Sequence, residues 1–140
     1  GNALTAEITN ERWNKNLNYK LDVMSPENAA ERLLNIAEKN DFTLYEFFLT
    51  DHLGHNRIAN EFNQIYSNID NFLFTILSKI NSSNLTLIIC SDHGNFEDLS
   101  VKTHTNNPAL GISAGKHANK FAEEIIDLTN IKPTILKYCL

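Results

Sequence analysis

The stretch LTLIICSDHGNFED, residues 85–98, is the part of this 140-residue chain from which its fold and its chemistry are most directly inferred. Its first six residues are mostly apolar or β-branched, a pattern typical of a buried strand. The strand runs directly into Asp92 and His93, so it would deliver a carboxylate and an imidazole to its carboxyl end. Open α/β sheets keep their chemistry at that end of the strands. We therefore expect a functional site there.

The residues before this strand predict a second strand and two helices. Ser25, followed by a proline and an acid, indicates a helix start, and the helix would run to about Lys39. Residues 42–49 are apolar at nearly every position, which favours a strand covered on both faces. Apolar residues then recur at steps of three and four from Ile58 to Ile80, the clearest helical pattern in the chain. A strand, a helix and a strand connected in this way form a βαβ unit with parallel strands.

The predicted fold class is therefore α/β, with a mainly parallel sheet flanked by helices. Residues 1–24 are polar and without clear periodicity, and we interpret them as an amino-terminal lead-in segment. Residues 25–140 would form one domain, with a further short strand at 108–114, a partly helical segment at 119–127 and a last helix through Ile135.

Composition narrows the class of protein. With 42% hydrophobic and 21% charged residues the chain is typical of globular proteins. Its net charge of -5 argues against nucleic-acid binding, because no basic face is available to neutralise phosphates. No apolar run is long enough to predict a membrane span. The two cysteines do not indicate a disulfide framework, so a reducing, cytoplasmic setting is the expectation.

Acid and histidine residues follow the predicted strands at 42–49 and 85–90. Asp51 and His55 are four residues apart with a glycine between them, so a tight turn or the first turn of the next helix can direct both side chains to one place. Because the carboxyl ends of parallel strands lie side by side, both residues should lie close to Asp92 and His93. His104 lies on a loop that can close over this group. Mixed imidazole and carboxylate ligands suit Zn²⁺ or Mn²⁺, whereas calcium and magnesium sites favour oxygen.

Three motifs in this order resemble the carboxyl-terminal metal motifs of the alkaline phosphatase superfamily. They are DxxGH at residues 51–55, SDHGN at 91–95 and THTxNP at 103–108. The most similar branch is that of the cofactor-independent phosphoglycerate mutases and the phosphopentomutases. The chain would then be a partial alkaline-phosphatase-like domain, with the resemblance running from about residue 42 to the end.

The resemblance implies a role for each matching residue. Asp51, His55 and His104 would hold one divalent metal ion, Mn or Zn, and Asp92 with His93 would help to hold a second. The two ions would activate a serine or threonine hydroxyl and stabilise phosphoryl transfer on a small phosphorylated substrate, through a covalent phospho-enzyme intermediate.

Other polar residues near the motifs have weaker interpretations. His52 would be solvated or would support a neighbouring ligand. Ser91 and Thr105 would bind backbone or orient ligands and are not expected to act as nucleophiles, since the nucleophile of the family lies elsewhere.

The chain also departs from the family pattern. Before residue 42 it offers neither an apolar strand that ends in aspartate nor a helix start that carries the nucleophile. We therefore expect the carboxyl-terminal portion of a larger enzyme, supplying most of the metal ligands while the catalytic nucleophile and one ligand lie outside it. A catalytically silent metal-binding or assembly module is the alternative. Uncovered sheet edges would also favour self-association. The sequence does not distinguish mutase, phosphatase and sulfatase activities.

Overall fold

The computed structural model describes residues 3–139. Its helices and strands follow the chain in this order: α1 (Glu11–Leu17), α2 (Pro26–Ala37), α3 (Leu49–Gly54), a 3₁₀ turn (Ala59–Glu61), α4 (Phe62–Ile80), β1 (Thr86–Cys90), β2 (Gly111–Gly115), α5 (Ala118–Glu124), a 3₁₀ turn (Leu128–Asn130) and α6 (Ile131–Tyr138). Among the described residues, none of the helices has both the length and the apolar character needed to cross a bilayer.

Helix α2 begins as its sequence predicts. The Ser25 hydroxyl accepts a hydrogen bond from the backbone N–H of Asn28 at 3.2 Å, and Pro26 occupies the first helical position. Ala29 and Ala30 are fully buried where α2 packs on α4. Small side chains at this contact let the two helix axes approach closely.

Helix α4 is the central element of the core. Phe72 and Ile76 pack with Ala29 and Ala30 of α2 in one apolar cluster. Nearer its amino end, Ile65 packs with two buried leucines of α3 in a second cluster. The helix therefore fixes the position of α3, which carries part of the predicted site.

The sheet differs from the predicted one. Within residues 3–139 it has two strands, and β1 pairs with β2 in antiparallel register, with Ile88 opposite Ser113. The prediction of a mainly parallel sheet is therefore wrong for this part of the chain. The strand that should run parallel to β1, residues 42–49, forms no ladder, and its last residue already belongs to α3.

Residues 42–48 nevertheless keep the side-chain alternation of a strand. Tyr45 and Phe47 are half-buried against the core, whereas Phe42, Leu44 and Phe48 are exposed. An apolar run predicts burial on both faces, but here only one face has a partner. Because no neighbouring strand pairs with it, the segment shows the alternating burial of a strand but lacks the ladder hydrogen bonds.

The lead-in segment contributes more structure than the sequence predicts. Ile8 is 2% exposed and belongs to the core, and its backbone N–H donates to the Tyr45 hydroxyl at 2.9 Å. Helix α1 follows, and the Arg12 guanidinium binds Glu7 and Glu61. Residues 3–17 are thus attached to the domain by the buried residues Ile8, Thr9 and Asn10 and by polar contacts.

The carboxyl-terminal elements follow the predicted order. Helix α5 packs on β2 and β1, and its Phe121 is 1% exposed. Asp127 accepts a hydrogen bond from the backbone N–H of Thr129 at 2.8 Å, and Asn130 bonds back to the Asp127 N–H. This capping arrangement starts the final turn and helix α6.

Candidate metal centre

Helix α3 brings Asp51 and His55 together, as their spacing predicts. Asp51 lies in its first turn, and His55 is the residue that ends it. Four residues on a helix return a side chain to the same face. The Asp51 Oδ1 to His55 Nε2 distance is accordingly 3.2 Å.

The other ring nitrogen of His55 fixes the hydrogen position of the ring. His55 Nδ1 lies 2.8 Å from the carbonyl oxygen of Lys102. A carbonyl only accepts, so Nδ1–H is the donor, and in the neutral ring Nε2 presents its lone pair to Asp51. Metal-binding histidines commonly carry this kind of bond on the nitrogen that does not bind the metal.

His93 and His104 lie on two different loops, and both side chains lie close to Asp51. The ligand atoms of Asp51, His93 and His104 all lie within 4.8 Å of one another. The two imidazole rings are stacked with their centroids 3.6 Å apart, and His104 Nε2 lies 3.8 Å from Asp51 Oδ1. His93 Nδ1 faces the carbonyl of Gly94 at 3.3 Å, which again leaves Nε2 as the free nitrogen.

The arrangement suits a divalent cation on structural grounds. Among residues 3–139, Asp51 Oδ1 is a buried oxygen without a hydrogen-bond partner, and the Nε2 atoms of His55 and His104 lie 3.2 and 3.8 Å from it. Where these nitrogens carry lone pairs, they and the carboxylate repel one another unless a proton or a metal cation lies between them. Two ligand atoms on one tetrahedral ion lie about 3.3 Å apart, given metal–ligand bonds of about 2.0 Å. The Asp51 to His55 separation of 3.2 Å agrees with this value.

Asp92 has a different environment from the other predicted ligands. Its side chain is 84% exposed, and its Oδ1 lies 3.6 Å from His93 Nε2. The structure therefore groups the His93 ligand atom with those of Asp51 and His104. The resemblance paired His93 with Asp92 and assigned His55 to the ion of Asp51 and His104, but the His55 ligand atom lies outside this group among the described residues. The division of these residues between two metal ions stays a prediction.

Ser91 and Thr105, which were predicted to support the ligands, form hydrogen bonds in the segments that carry His93 and His104. The Ser91 hydroxyl accepts from the Leu110 N–H at 2.9 Å, and the Ser91 N–H donates to the Leu110 carbonyl at 3.1 Å. The Thr105 hydroxyl donates to Glu97. His52 is half-buried on α3 and does not belong to the group of ligand atoms found among the described residues.

Sequence reasoning missed Glu97, which binds both histidine-bearing loops. Its carboxylate accepts hydrogen bonds from Thr105, Asn107 and the backbone of Asn95. The bond from Thr105 is the main reason that the pKa of Glu97 falls to about 2. Nothing in the local pattern distinguishes Glu97 from a solvated acid, since its partners come from a loop further along the chain.

Gly54, which the sequence relates to a turn between Asp51 and His55, also makes a close packing contact. A Cβ atom at this position would lie 1.2 Å from Asn95 Oδ1, and the Asn95 side chain is 3% exposed. The glycine thus lets the loop after β1 pack directly on α3. This contact brings the two ligand-bearing segments together.

Comparisons with known proteins identify the family of this chain. The family model described as "Metalloenzyme superfamily" matches residues 12–140. No solved structure gave a significant match.

Several curated proteins named 2,3-bisphosphoglycerate-independent phosphoglycerate mutase are similar to this chain. That of Metamycoplasma hominis is 31% identical over 123 residues, which cover 82% of this chain and 24% of the relative. That of Malacoplasma penetrans is 32% identical, covering 85% of this chain and 24% of the relative. That of Ehrlichia canis is 32% identical, covering 81% of this chain and 25% of the relative. The chain therefore spans about a quarter of the length of the curated relatives it matches.

Proposed function

Because this chain belongs to the Metalloenzyme superfamily, we propose that it is the metal-binding part of a phosphoryl-transfer enzyme of the phosphomutase type. The observation that carries the proposal is the convergence of Asp51, His93 and His104 on one point. The names of the similar proteins support the mutase reaction over a phosphatase or sulfatase reaction.

We propose that the full enzyme uses two divalent ions, Mn or Zn. Asp51, His55 and His104 are the residues for one ion, and Asp92 with His93 would help to hold the second. Imidazole nitrogen with carboxylate oxygen is a ligand set that both metals accept. The exposure of Asp92 is consistent with a ligand whose ion is completed by residues outside this chain.

The proposed substrate is a small phosphorylated molecule. Bound metal ions would supply positive charge to the phosphoryl oxygens and activate a hydroxyl nucleophile. The residues of this chain hold the ligand atoms in place: α3 fixes Asp51, and carbonyl groups orient His55 and His93. The overall charge of -5 argues against nucleic acid as a partner, since the positive charge at the site would come from the ions alone.

The proposed setting is the cytoplasm. Cys90 and Cys139 are both free thiols, and Cys90 is exposed. Exposed thiols persist where the environment is reducing.

Metal content tests the proposal most directly. The purified chain is stripped with a chelator, supplied with Mn²⁺ or Zn²⁺, freed of excess ion and analysed by mass spectrometry for bound metal. Asp51→Ala is compared with Asp70→Ala, which changes an exposed aspartate on α4. We expect the unaltered chain and the control to retain metal and Asp51→Ala to lose it. Metal at background level in the unaltered chain would contradict the proposal.

Turnover of an aryl phosphate with added Mn²⁺ separates the two functional classes. Activity that Asp92→Ala abolishes would support an enzyme. Metal binding without turnover would favour a metal-binding or assembly module.

A further inference from the structure

Glu97 is an exposed carboxylate that connects the two loops carrying His93 and His104. Its Oε1 accepts hydrogen bonds from the Thr105 hydroxyl and from Asn107 Nδ2, the latter at 3.0 Å. Its Oε2 accepts from the backbone N–H of Asn95 at 2.6 Å. One side chain thus satisfies donors from both loops, and carboxylates form stronger hydrogen bonds than neutral acceptors do.

These bonds lie next to the histidines in the chain. Asn95 follows His93 by two residues, and Thr105 directly follows His104. The Thr105 N–H also donates to the carbonyl of Gly94 at 2.9 Å, which forms an isolated bridge between the loops. Glu97 therefore constrains the backbone on both sides of the ring stack.

The packing around Glu97 leaves little room for another arrangement. A Cβ atom on Gly94 would lie 2.2 Å from Thr105 Oγ1 and 2.8 Å from Glu97 Oε1. The bridge can form only because this position has no side chain. The Glu97 carboxylate therefore has a well-defined position, although it is exposed to solvent.

We propose that Glu97 is a positioning residue of the metal centre, which holds the ligand atoms of His93 and His104 within 4.8 Å of each other and of Asp51. This inference rests on the proposed function for its link to metal. The low pKa of Glu97, held down mainly by the Thr105 hydroxyl, keeps the carboxylate ionised at neutral pH, so it acts purely as an acceptor. Glu97 itself does not belong to the group of ligand atoms found among residues 3–139.

The first test measures metal affinity in the full chain. Mn²⁺ and Zn²⁺ are titrated calorimetrically into the unaltered protein, Glu97→Ala, Glu97→Gln and Glu123→Gln, at a temperature where circular dichroism shows each to be folded. Loss of a partner that orients a ligand typically weakens metal binding by about 10- to 100-fold. We expect Glu97→Ala in that range and Glu123→Gln, an exposed glutamate on α5, to match the unaltered chain.

Glu97→Gln provides the graded variant. Its amide oxygen can still accept from Thr105 and Asn107, but its amide nitrogen cannot accept from the Asn95 N–H. We expect a smaller loss of affinity than in Glu97→Ala. It also keeps the proposal testable if Glu97→Ala fails to fold.

The second test does not depend on metal. Because the rings of His93 and His104 are 3.6 Å apart at their centroids, their protons should give nuclear Overhauser signals in the metal-free protein. We expect these signals to weaken in both Glu97 variants and to persist in Glu123→Gln, whereas a role in stability alone would leave them intact. Unchanged signals and affinities in folded Glu97→Ala would overturn the proposal. If the signals weaken in the Glu97 variants of a chain that binds no metal, the positioning role stands and the metal-centre function is rejected.

Discussion

The imidazole rings of His93 and His104 are stacked with their planes inclined by 17° and their centroids 3.6 Å apart. Two protonated rings would repel at this separation, whereas neutral rings each keep a nitrogen lone pair for a cation. The Gly94 carbonyl beside His93 Nδ1 favours the tautomer with its proton on Nδ1, which leaves Nε2 as the free nitrogen. The stack therefore agrees with two rings that bind metal as neutral ligands.

Removal of His104 should weaken metal binding strongly. Loss of a direct ligand costs more than the roughly 10- to 100-fold that loss of an orienting partner costs, so we expect His104→Ala to exceed that range for Zn²⁺ or Mn²⁺. His117→Ala is the control, because that ring lies against Tyr138 and does not belong to the ligand-atom group within residues 3–139. Calorimetric titration measures both. Equal affinities for the two variants would contradict the assignment of His104 as a ligand.

A methyl group at Gly94 should damage the site and a methyl group at Gly111 should not. The Gly94 Cβ would overlap Thr105 Oγ1, and overpacking of this kind costs about 1–3 kcal/mol. Gly111 has open space around its would-be Cβ, so Gly111→Ala should alter the free energy of unfolding by less than about 0.5 kcal/mol. Urea unfolding compares the two variants. We also expect Gly94→Ala, and not Gly111→Ala, to reduce metal affinity.

The contribution of the Glu97 charge to stability should depend on pH. The pKa of Glu97 is about 2 in the folded chain, below the usual value of about 4.3 in unfolded chains. A depressed pKa stabilises the fold above the unfolded value, and this stability is lost as pH falls through the folded value. The difference in unfolding midpoint between the unaltered chain and Glu97→Gln should thus be constant above about pH 5 and shrink between about pH 4.5 and 2. Metal-free protein is used, and Glu123→Gln should show no such trend.

The Tyr45 hydroxyl should stabilise the attachment of the amino-terminal segment. It accepts from the Ile8 N–H at 2.9 Å and donates to the Thr5 carbonyl at 2.8 Å. Tyr45→Phe removes both bonds and keeps the ring, so we expect a loss of about 1–2 kcal/mol in the free energy of unfolding. Tyr66→Phe, at an exposed ring, should be neutral. Burial raises the pKa of Tyr45 to about 12, so the unaltered chain should also lose stability above about pH 10, where the unfolded tyrosine ionises.

Self-association should depend on the outer face of residues 42–48. Leu44 is 72% exposed, and the Phe42 and Phe48 side chains of the same segment are also exposed. Clustered exposed apolar side chains of an unpaired strand-like segment favour contact between copies. Sedimentation velocity should show a concentration-dependent species that Leu44→Glu reduces, with Leu17→Glu on α1 as the matched control. A strictly monomeric chain at all concentrations would contradict this prediction.

Local patterns predicted the elements that depend on local interactions. The cap at Ser25 and the apolar repeat that ends at Ile80 indicated α2 and α4, and the structure confirms both helices. Both signals arise from residues within one or two helical turns, so the local sequence alone is sufficient to predict these helices. The strand at 42–49 was also predicted from a local pattern. This prediction is wrong, because residues 42–48 form no ladder hydrogen bonds with another strand. A strand needs a partner, and that partner is not specified by the strand itself.

The sequence by itself determined the chemical inventory of the site and one of its contacts. Spacing alone placed Asp51 beside His55, because both lie on one turn of helix. The sequence also predicted that Asp51 lies close to His93, but through a parallel sheet that the described residues do not form. Only the tertiary structure decided that the His93 ligand atom groups with those of Asp51 and His104, and that Glu97 connects the two loops. The physical reason is range. These contacts depend on how segments far apart in the chain pack across α3 and β1, as in the bond from His55 to Lys102, and no periodicity along the chain records such packing.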